Sequence, residues 1–496
     1  MPKPRLAIAA GNRSGAESAA EVARQGGNAV DACLAAAITG WVAEPFFTSL
    51  AGSGFVAVRT PEGHVEVIDG NNAMPTTVPS ESNQGVRRVY LEYSNGMYTG
   101  IGGGAVAVPG VLAAVRLAWE RHGKIEWPAL FQGAIRVARE GLPFPKTSAY
   151  YLSVTWNEIW SQFEGSRELF DVDGHPMRED ETLCQPGLAD ALERIAQEGP
   201  EVFYSGDIAA NIADAIARDG GFMGVSDLKA YQAEVRSPVG TDAWGWRIEA
   251  NPPPAVGGAV LIHMLALLGD SALDDPVERA KALVEAQRNA IGYRAEKYQD
   301  PDLIAAAFDE AVQRFSPHRS SDTTHASSAD ADGYACSITE SNGYGAGLCV
   351  DGILLNNTLG EEELNPFGAH GLRPGTRCHS NMTPTIAHGD GRTVAIGSPG
   401  ADRIVTAIAQ TLVRLAVDRV SLKEAVAGPR IHLDPRPTGE LLCFEPGIPG
   451  EEVGYHPLPY DDIHMYFGAV QVAEVNDDGE VDAAFDPRRS GGAALI

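Results

Sequence analysis

Helix and strand patterns fall in separate blocks of this chain, and that division constrains the fold most strongly. An Ala-rich helical pattern over residues 15–43 is interrupted at Gly26-Gly27-Asn28, a typical helix stop and restart. Further helical stretches lie at 110–122, 127–140, 187–198, 206–219 and 277–298. Short strand-like runs dominate just after residue 322, and two strands are also expected within 54–69. Because such blocks pack as layers, we expect an α+β fold with helices covering stacked sheets.

The composition excludes several classes of protein. The chain has 496 residues, of which 44% are hydrophobic and 21% charged, so it can bury a large core. A net charge of −28 argues against nucleic acid and anionic membranes as partners, because both bind basic patches. No run of about 18 apolar residues predicts a transmembrane helix. The apolar stretch after the first residues is too short for a signal peptide, so a cytoplasmic location is expected.

The cysteine and histidine patterns predict neither disulfides nor a metal site. The six cysteines are far apart and form no CxxC pair, which favours reduced thiols in the core. The histidines form no HxxxH or HExxH pattern, so zinc is not expected. No cofactor is predicted.

Three glycine-rich segments are candidate loops with a function. Gly100–Gly104 lacks the GxxxxGK[ST] pattern and is better explained as a tight turn. Asn251–Gly258 predicts a rigid turn beside a closely packed helix. Gly397–Ala401 lies between a predicted strand and a predicted helix, where backbone N–H groups could stabilise an oxyanion. From these residues alone, an ordinary turn remains the alternative for the third segment.

A polar stretch without periodicity, residues 299–322, predicts an exposed linker or processing segment. The residues Asp322-Thr323-Thr324-His325 follow, at the start of a predicted strand. Two interpretations stay open at this point: a buried strand start, or a nucleophile freed by backbone cleavage before Thr323. In the second, the free α-amine of Thr323 would act as base for its own hydroxyl.

A series of short motifs extends along most of the chain. In order, they are Arg24–Asp31, Glu44-Pro45, Gly52–Gly54, Ala107–Gly110, Gly199–Tyr204, Pro252–Pro254 with Gly257-Gly258, Thr323–His325, Gly352–Asn357, Met382–Ile386, Gly397–Gly400, Gly468–Gln471 and Asp486–Arg488. None is decisive alone. Taken together and in this order, they resemble the γ-glutamyltranspeptidase family of N-terminal-nucleophile hydrolases.

The resemblance implies a four-layer αββα sandwich and self-cleavage between Asp322 and Thr323. Residues 1–322, including the linker at about 299–322, would form a large subunit, and residues 323–496 a small catalytic subunit. The two fragments would stay associated in one compact unit. A homo-oligomer of this processed unit is left open, and the expected partner is a small-molecule substrate.

Catalytic residues follow from the same resemblance. Thr323 would be the nucleophile. Ser341 falls where the family uses a Thr hydroxyl to hydrogen-bond the nucleophile, and Ser can do the same. Thr339 lies on the same strand and face as Ser341. Gly400 and Ala401 match the family's Gly-Gly oxyanion pair, and the backbone N–H survives the change to Ala.

The substrate-binding segments depart from the family pattern. Asn71 stands where typical members hold the α-carboxylate of a γ-glutamyl group with Arg. Glu361 can still bind an ammonium group. Ser380-Asn381 replaces a Ser-Ser pair, and Asn342 lies in a loop shorter than usual. A solvated Glu361, a turn-forming Asn342 and a core Asn381 are the structural alternatives.

The resemblance therefore predicts a self-processing Thr hydrolase or acyltransferase from a divergent intracellular branch, without strict specificity for γ-glutamyl groups. Two alternatives remain. One is a hydrolase that cleaves a C–C bond in an alkylproline-type antibiotic pathway, as a branch of the family is thought to do. The other is an inactive scaffold that keeps the fold for binding.

Overall fold

The computed structural model describes residues 3–93, 96–269, 271, 273–297, 322–365, 367–436 and 439–496. The predicted linker at 299–322 lies outside the described residues, except that Asp322 begins a strand. Among the described residues, no helix is both long and apolar enough to cross a bilayer.

Most helices lie in the first 300 residues, as the sequence pattern predicts. In chain order, they are α1 Arg13–Arg24, α2 Ala29–Ala43, α3 Val111–His122, α4 Gln132–Glu140, α5 Lys146–Thr155, α6 Glu164–Phe170, α7 Pro186–Glu198, α8 Glu201–Tyr204, α9 Asp207–Arg218, α10 Val225–Ala230, α11 Gly257–Gly269, α12 Pro276–Lys297, α13 Arg403–Val413 and α14 Leu422–Ala427. The predicted break between α1 and α2 is confirmed. Asn28 caps α2, since its Oδ1 accepts from the Asp31 N–H at 3.0 Å and the Asp31 carboxylate accepts from the Asn28 N–H.

The strands are distributed more widely along the chain than the helices. In chain order, they are β1 Leu6–Ala10, β2 Ser53–Arg59, β3 Val65–Gly70, β4 Arg87–Leu91, β5 Met97–Ile101, β6 Leu142–Pro143, β7 Asp171–Val172, β8 His175–Pro176, β9 Thr182–Leu183, β10 Glu234–Arg236, β11 Val239–Ala243, β12 Trp246–Ala250, β13 Asp322–Asp330, β14 Ala335–Gly343, β15 Cys349–Val350, β16 Ile353–Leu354, β17 Thr385–Gly389, β18 Arg392–Gly397, β19 Ile431–Arg436, β20 Gly439–Phe444, β21 His456–Pro459, β22 Gln471–Asn476, β23 Val481–Phe485 and β24 Gly492–Leu495. The hairpin predicted within 54–69 is confirmed as β2 and β3.

Two antiparallel sheets form the centre of the molecule. In the described chain, the first sheet has the strand order β10-β3-β2-β14-β13-β1-β24, and the second has β11-β12-β17-β18-β22-β23. Strands β13 and β14 of the first sheet pack on β18 and β22 of the second. Helices α1 and α2 cover the outer face of the first sheet, while α11 packs on the second sheet and α13 packs on α11. The predicted αββα sandwich is confirmed.

Each interface between layers has its own apolar core. Large side chains such as Trp41, Phe46 and Trp160 fill the core between the first sheet and its helices. The layer between the two sheets is built largely from small residues. These are Ala7, Ala57, Ala255, Ala329, Ala335, Ala395 and Ala473. Small side chains allow two sheets to pack closely, which brings the ends of β13, β14 and β18 near one another.

The chain start is a strand that the sequence analysis did not assign. Leu6–Ala10 forms β1, which is fully buried between β13 and β24. The cysteine expectation is correct for four residues and wrong for Cys184, which is exposed. The buried free thiols are those of Cys33, Cys336, Cys378 and Cys443, and Cys349 is half-buried.

Candidate active site

Thr323 and Ser341 are direct cross-strand partners at the ends of β13 and β14. The register between these strands shifts just before Thr323, between Asp322 and Thr323. Both side chains are buried, with relative exposures of 1% and 5%. The Thr323 hydroxyl makes no hydrogen bond to any described residue. A buried hydroxyl without a partner is costly, which marks this atom as a candidate reactive group.

The backbone around Thr323 is tightly held by neighbouring groups. Arg489 donates from Nη1 to the Thr323 carbonyl oxygen at 3.0 Å. On the other strand, the Ser53 hydroxyl donates to the Ser341 carbonyl oxygen at 3.2 Å, and the Gly343 N–H donates to the Ser341 hydroxyl at 3.1 Å. These bonds fix the two hydroxyl-bearing residues relative to each other.

A small pocket opens beside the Thr323 hydroxyl. Its walls come from seven separate segments of the chain, which include strand ends, loops and the start of a helix. The lining residues are Ser53, Asn71, Thr323, Ser341, Thr358, Glu361, Leu364, His379, Ser380, Asn381, Met382 and Ile404. Six of the site residues predicted from the sequence therefore line one pocket. They are Asn71, Thr323, Ser341, Glu361, Ser380 and Asn381.

Thr339 and Asn342 do not line this pocket. The Thr339 hydroxyl lies 2.8 Å from Nδ1 of His325, its cross-strand partner on β13. Burial lowers the pKa of His325 to about 3, so this imidazole is neutral at physiological pH. Asn342 is fully buried at the end of β14. The geometry therefore gives Thr339 a role in anchoring His325 behind the pocket.

Gly400 and Ala401 form the turn that joins β18 to α13. Both have a positive φ, +125° for Gly400 and +54° for Ala401. A Cβ on Gly400 would lie 2.9 Å from the Cα of Gly468, so this position requires glycine. Ile404, in the first turn of α13, lines the pocket, which places the start of this helix at the site. The expected geometry of a strand, a turn and a helix N-terminus is present.

The charges of the pocket are one-sided. Glu361 contributes a carboxylate that is only 3% exposed, and no Arg or Lys is among the described residues that line the pocket. Asn71 donates from Nδ2 to the Cys378 carbonyl oxygen at 2.6 Å, so one of its amide hydrogens is already used. The pocket therefore favours a cationic or neutral group over an anion.

An arginine two residues before His379 is directed away from the pocket. Arg377 stacks over the Tyr231 ring, with its guanidinium carbon 4.2 Å from the ring centroid. Its Nε lies 3.8 Å from Oδ1 of the buried Asp69, and it also donates to the Gln232 carbonyl oxygen. Arg377 is therefore held by protein groups outside the pocket.

A family model described as Gamma-glutamyltranspeptidase matches residues 15–316 and 305–496, which together span nearly the whole chain. The chain belongs to the γ-glutamyltranspeptidase family. The family resemblance in the sequence motifs is thereby confirmed.

Proteins similar to this chain are named as glutathione hydrolases and as acylases. The chain is 30% identical to the glutathione hydrolase proenzyme of Pseudomonas aeruginosa, over 99% of this chain and 94% of the relative. It is 29% identical to the acylase ACY 1 proenzyme of Pseudomonas sp. strain V22, over 87% of this chain and 82% of that protein. The crystal structure of a cephalosporin acylase from Bacillus halodurans superimposes with a TM-score of 0.84 at 22% identity, covering 99% and 96% of the two chains. This structure supports the fold.

Several residues at or near the site were not found from the sequence. His379 lines the pocket, and its Nδ1 lies 3.2 Å from the Leu364 carbonyl oxygen. Its position directly before the nominated Ser380-Asn381 pair was the available signal. Arg489 follows the family motif Asp486–Arg488 by one residue, but nothing in that motif indicates that it reaches Thr323.

Proposed function

We propose that this protein is a self-processing hydrolase or acyltransferase whose nucleophile is Thr323. The observation that carries the proposal is the Thr323 hydroxyl, which is buried, has no hydrogen-bond partner among the described residues and faces a pocket opposite Ser341. Relatives are named as a glutathione hydrolase proenzyme and an acylase proenzyme, which supports hydrolysis or acyl transfer by a processed precursor.

Processing would use the same hydroxyl. Oγ1 of Thr323 adds to the carbonyl carbon of Asp322, its proton passes to the Thr323 nitrogen, and the C–N bond breaks to leave an ester. Water then hydrolyses the ester to the Asp322 carboxylate and a free Thr323 α-amine. The register shift between Asp322 and Thr323 supports this assignment, because it separates the scissile bond from the regular hydrogen-bond ladder.

Turnover would use the freed amine as a base. The α-amine takes the Oγ1 proton as Oγ1 adds to the substrate carbonyl carbon, and then returns it to the leaving nitrogen. The backbone N–H groups of Gly400 and Ala401 would stabilise the oxyanion, and the Ser341 hydroxyl would orient Oγ1. Water, deprotonated by the same amine, hydrolyses the acyl ester on Thr323. An amine in place of water gives acyl transfer.

The substrate that fits the pocket has an amino group on its acyl side and no α-carboxylate. Glu361 would hold the ammonium group. The described lining has no Arg or Lys to pair a carboxylate, and Asn71 already uses one of its amide hydrogens. An unpaired buried carboxylate costs roughly 2–5 kcal/mol, which corresponds to about 30-fold or more in binding.

The first experiment tests the nucleophile. Purified protein is separated under denaturing conditions, and the smaller fragment is sequenced from its N-terminus. We expect Thr-Thr-His-Ala, and an uncut, inactive Thr323→Ala variant. Ser328→Ala is the matched control, because it removes a hydroxyl on the same strand that donates to the Ala29 carbonyl oxygen on the helix side. Any other N-terminus, or an active Thr323→Ala variant, would reject Thr323 as nucleophile.

The second experiment tests specificity with three matched p-nitroanilides. The 4-aminobutyryl compound has the amine alone, the glutaryl compound the carboxylate alone, and the γ-glutamyl compound both. We expect the 4-aminobutyryl compound to have the highest kcat/KM, by about 30-fold or more over the glutaryl compound. The assignment of the pocket would be wrong if γ-glutamyl or glutaryl anilide were the best of the three.

A further inference from the structure

A pair of buried carboxyl groups lies directly behind the catalytic residues. Thr324 and Glu340 are cross-strand partners, one residue further along β13 and β14 from Thr323 and Ser341. Because side chains alternate along a strand, this second pair points to the opposite face, toward α2. There, Glu340 and Glu44 line the same small pocket.

Both carboxyl groups are held by neutral donors. Glu44 accepts from the Thr324 hydroxyl at 2.6 Å and from Asn12 Nδ2 at 2.8 Å. Glu340 accepts from Trp41 Nε1 at 3.1 Å and from the Thr48 hydroxyl at 3.3 Å. Glu44 and Glu340 are 6% and 1% exposed. These bonds join the strand residues adjacent to Thr323 and Ser341 to α2 and the loop after it.

The charged surroundings favour only one ionised carboxyl. His325 borders the same space but is neutral, because burial lowers its pKa to about 3. Arg489 attracts the Glu44 carboxylate, and it also donates to the Thr323 carbonyl oxygen. Neither carboxyl forms an ion pair with a described residue. Two carboxylates in one buried space with a single distant cation would repel each other.

The two groups are expected to ionise in sequence. Burial raises the pKa of Glu44, and hydrogen bonds and Arg489 act against that rise. Burial, with a smaller contribution from Glu44, raises the pKa of Glu340 to about 8. Glu340 therefore keeps its proton at neutral pH, and Glu44 is the first of the two to ionise as the pH rises.

We propose that Glu340 is a positioning residue, whose neutral carboxyl beside Glu44 keeps Thr323 and Ser341 in register, and whose deprotonation inactivates the enzyme. This inference rests on the proposed function of Thr323. Ionised Glu340 would add a second negative charge behind the strand pair, and the strands would move to admit water or separate the charges.

The main test compares pH profiles of the wild type and Glu340→Gln on the best anilide. Gln keeps the shape and the acceptor for Trp41, but it cannot ionise. We expect wild-type kcat to fall about tenfold between pH 8 and pH 9.5 with KM little changed, and the variant to lose this alkaline decline. Glu44→Gln should move the decline to lower pH, since the raising effect of the Glu44 charge is removed. The same decline in Glu340→Gln would overturn the proposal.

A second measurement does not depend on activity. In a Thr323→Ala background, the melting temperature is recorded with and without Glu340→Gln from pH 4 to pH 9. The folded state keeps the Glu340 proton up to about pH 8, while the unfolded state loses it near 4.5. Stability relative to the Gln variant should therefore fall as pH rises through this window and level off above it.

The two readouts separate the inference from the proposed function. The melting temperatures of the two proteins should agree at low pH and differ increasingly toward pH 8. If they do so in a protein whose parent has no activity on any anilide, the buried acid pair is supported and the proposed enzyme activity is rejected. Parallel melting curves across the range would reject the acid pair, whatever the activity.

Discussion

At the scale of single residues, the proposed substrate preference depends most on Asn71. It is 1% exposed, lines the pocket and donates to the Cys378 carbonyl oxygen. Arg at this position would offer a planar, charged group that can bind a carboxylate through two parallel hydrogen bonds. Asn71 is neutral and already uses one amide hydrogen, so it fits the proposed preference for a substrate without an α-carboxylate.

Asn71→Arg should raise kcat/KM for γ-glutamyl-p-nitroanilide by about tenfold or more, because a charged pair replaces an unpaired carboxylate. The measurement is initial-rate kinetics on the γ-glutamyl and 4-aminobutyryl anilides side by side. The 4-aminobutyryl compound is the internal control, since it has no carboxylate and should gain nothing. An equal change for both compounds would show that residue 71 does not face the carboxylate.

At the scale of elements, the turn between β18 and α13 should tolerate substitution at Ala401 but not at Gly400. Gly400→Ala would bring a Cβ to 2.9 Å from the Gly468 Cα and add strain at φ +125°, so the turn must move. If its N–H stabilises the oxyanion, kcat should fall by about 10²-fold or more.

Ala401→Gly is the matched control. It relieves a left-handed φ of +54°, so activity should persist and the melting temperature should equal or exceed that of the wild type. Similar losses in both variants, measured by stopped assay and thermal melts, would contradict this role.

The elements themselves were largely predictable from sequence, because most are long and periodic. Helix α12, predicted at 277–298, is observed at Pro276–Lys297, and the break before Ala29 is explained by the cap at Asn28. The five-residue strand β1 was missed, since its side chains are apolar on both faces and too few to show alternation. Its burial between two strands from the far end of the chain depends on tertiary structure alone.

Site residues could be predicted from the sequence only where they belong to a recognisable motif. Six nominated residues line the pocket, but Thr339 was assigned by its face and instead binds His325. Alternation along a strand tells which side a residue faces, not which neighbour accepts its hydrogen bond. Arg489 and Glu340 were missed because their contacts join segments that are far apart in sequence, and no local pattern indicates such contacts.

At the scale of the whole molecule, cleavage before Thr323 would not release either fragment. Strand β1 pairs with both β13 and β24, and β2 pairs with β14, so three ladders of the first sheet join the fragments. The Ala29 N–H also donates to the Asp330 carboxylate at 2.8 Å. We expect the two fragments to elute together in size-exclusion chromatography in native buffer and to separate only in denaturant. Separation without denaturant would show that the shared sheet is too weak to hold them.

The position of β1 also has a consequence for the order of events during synthesis. Its partners β13 and β24 are made some 300 and nearly 500 residues later, so this part of the sheet cannot be complete before residues 492–495 have been made. The strand carrying Thr323 therefore gains its neighbour on one side early and its final support only when residues 492–495 appear. If the proposed self-cleavage needs the finished sheet, it would have to wait until residues 492–495 are in place, which would protect a partly made chain from premature cleavage.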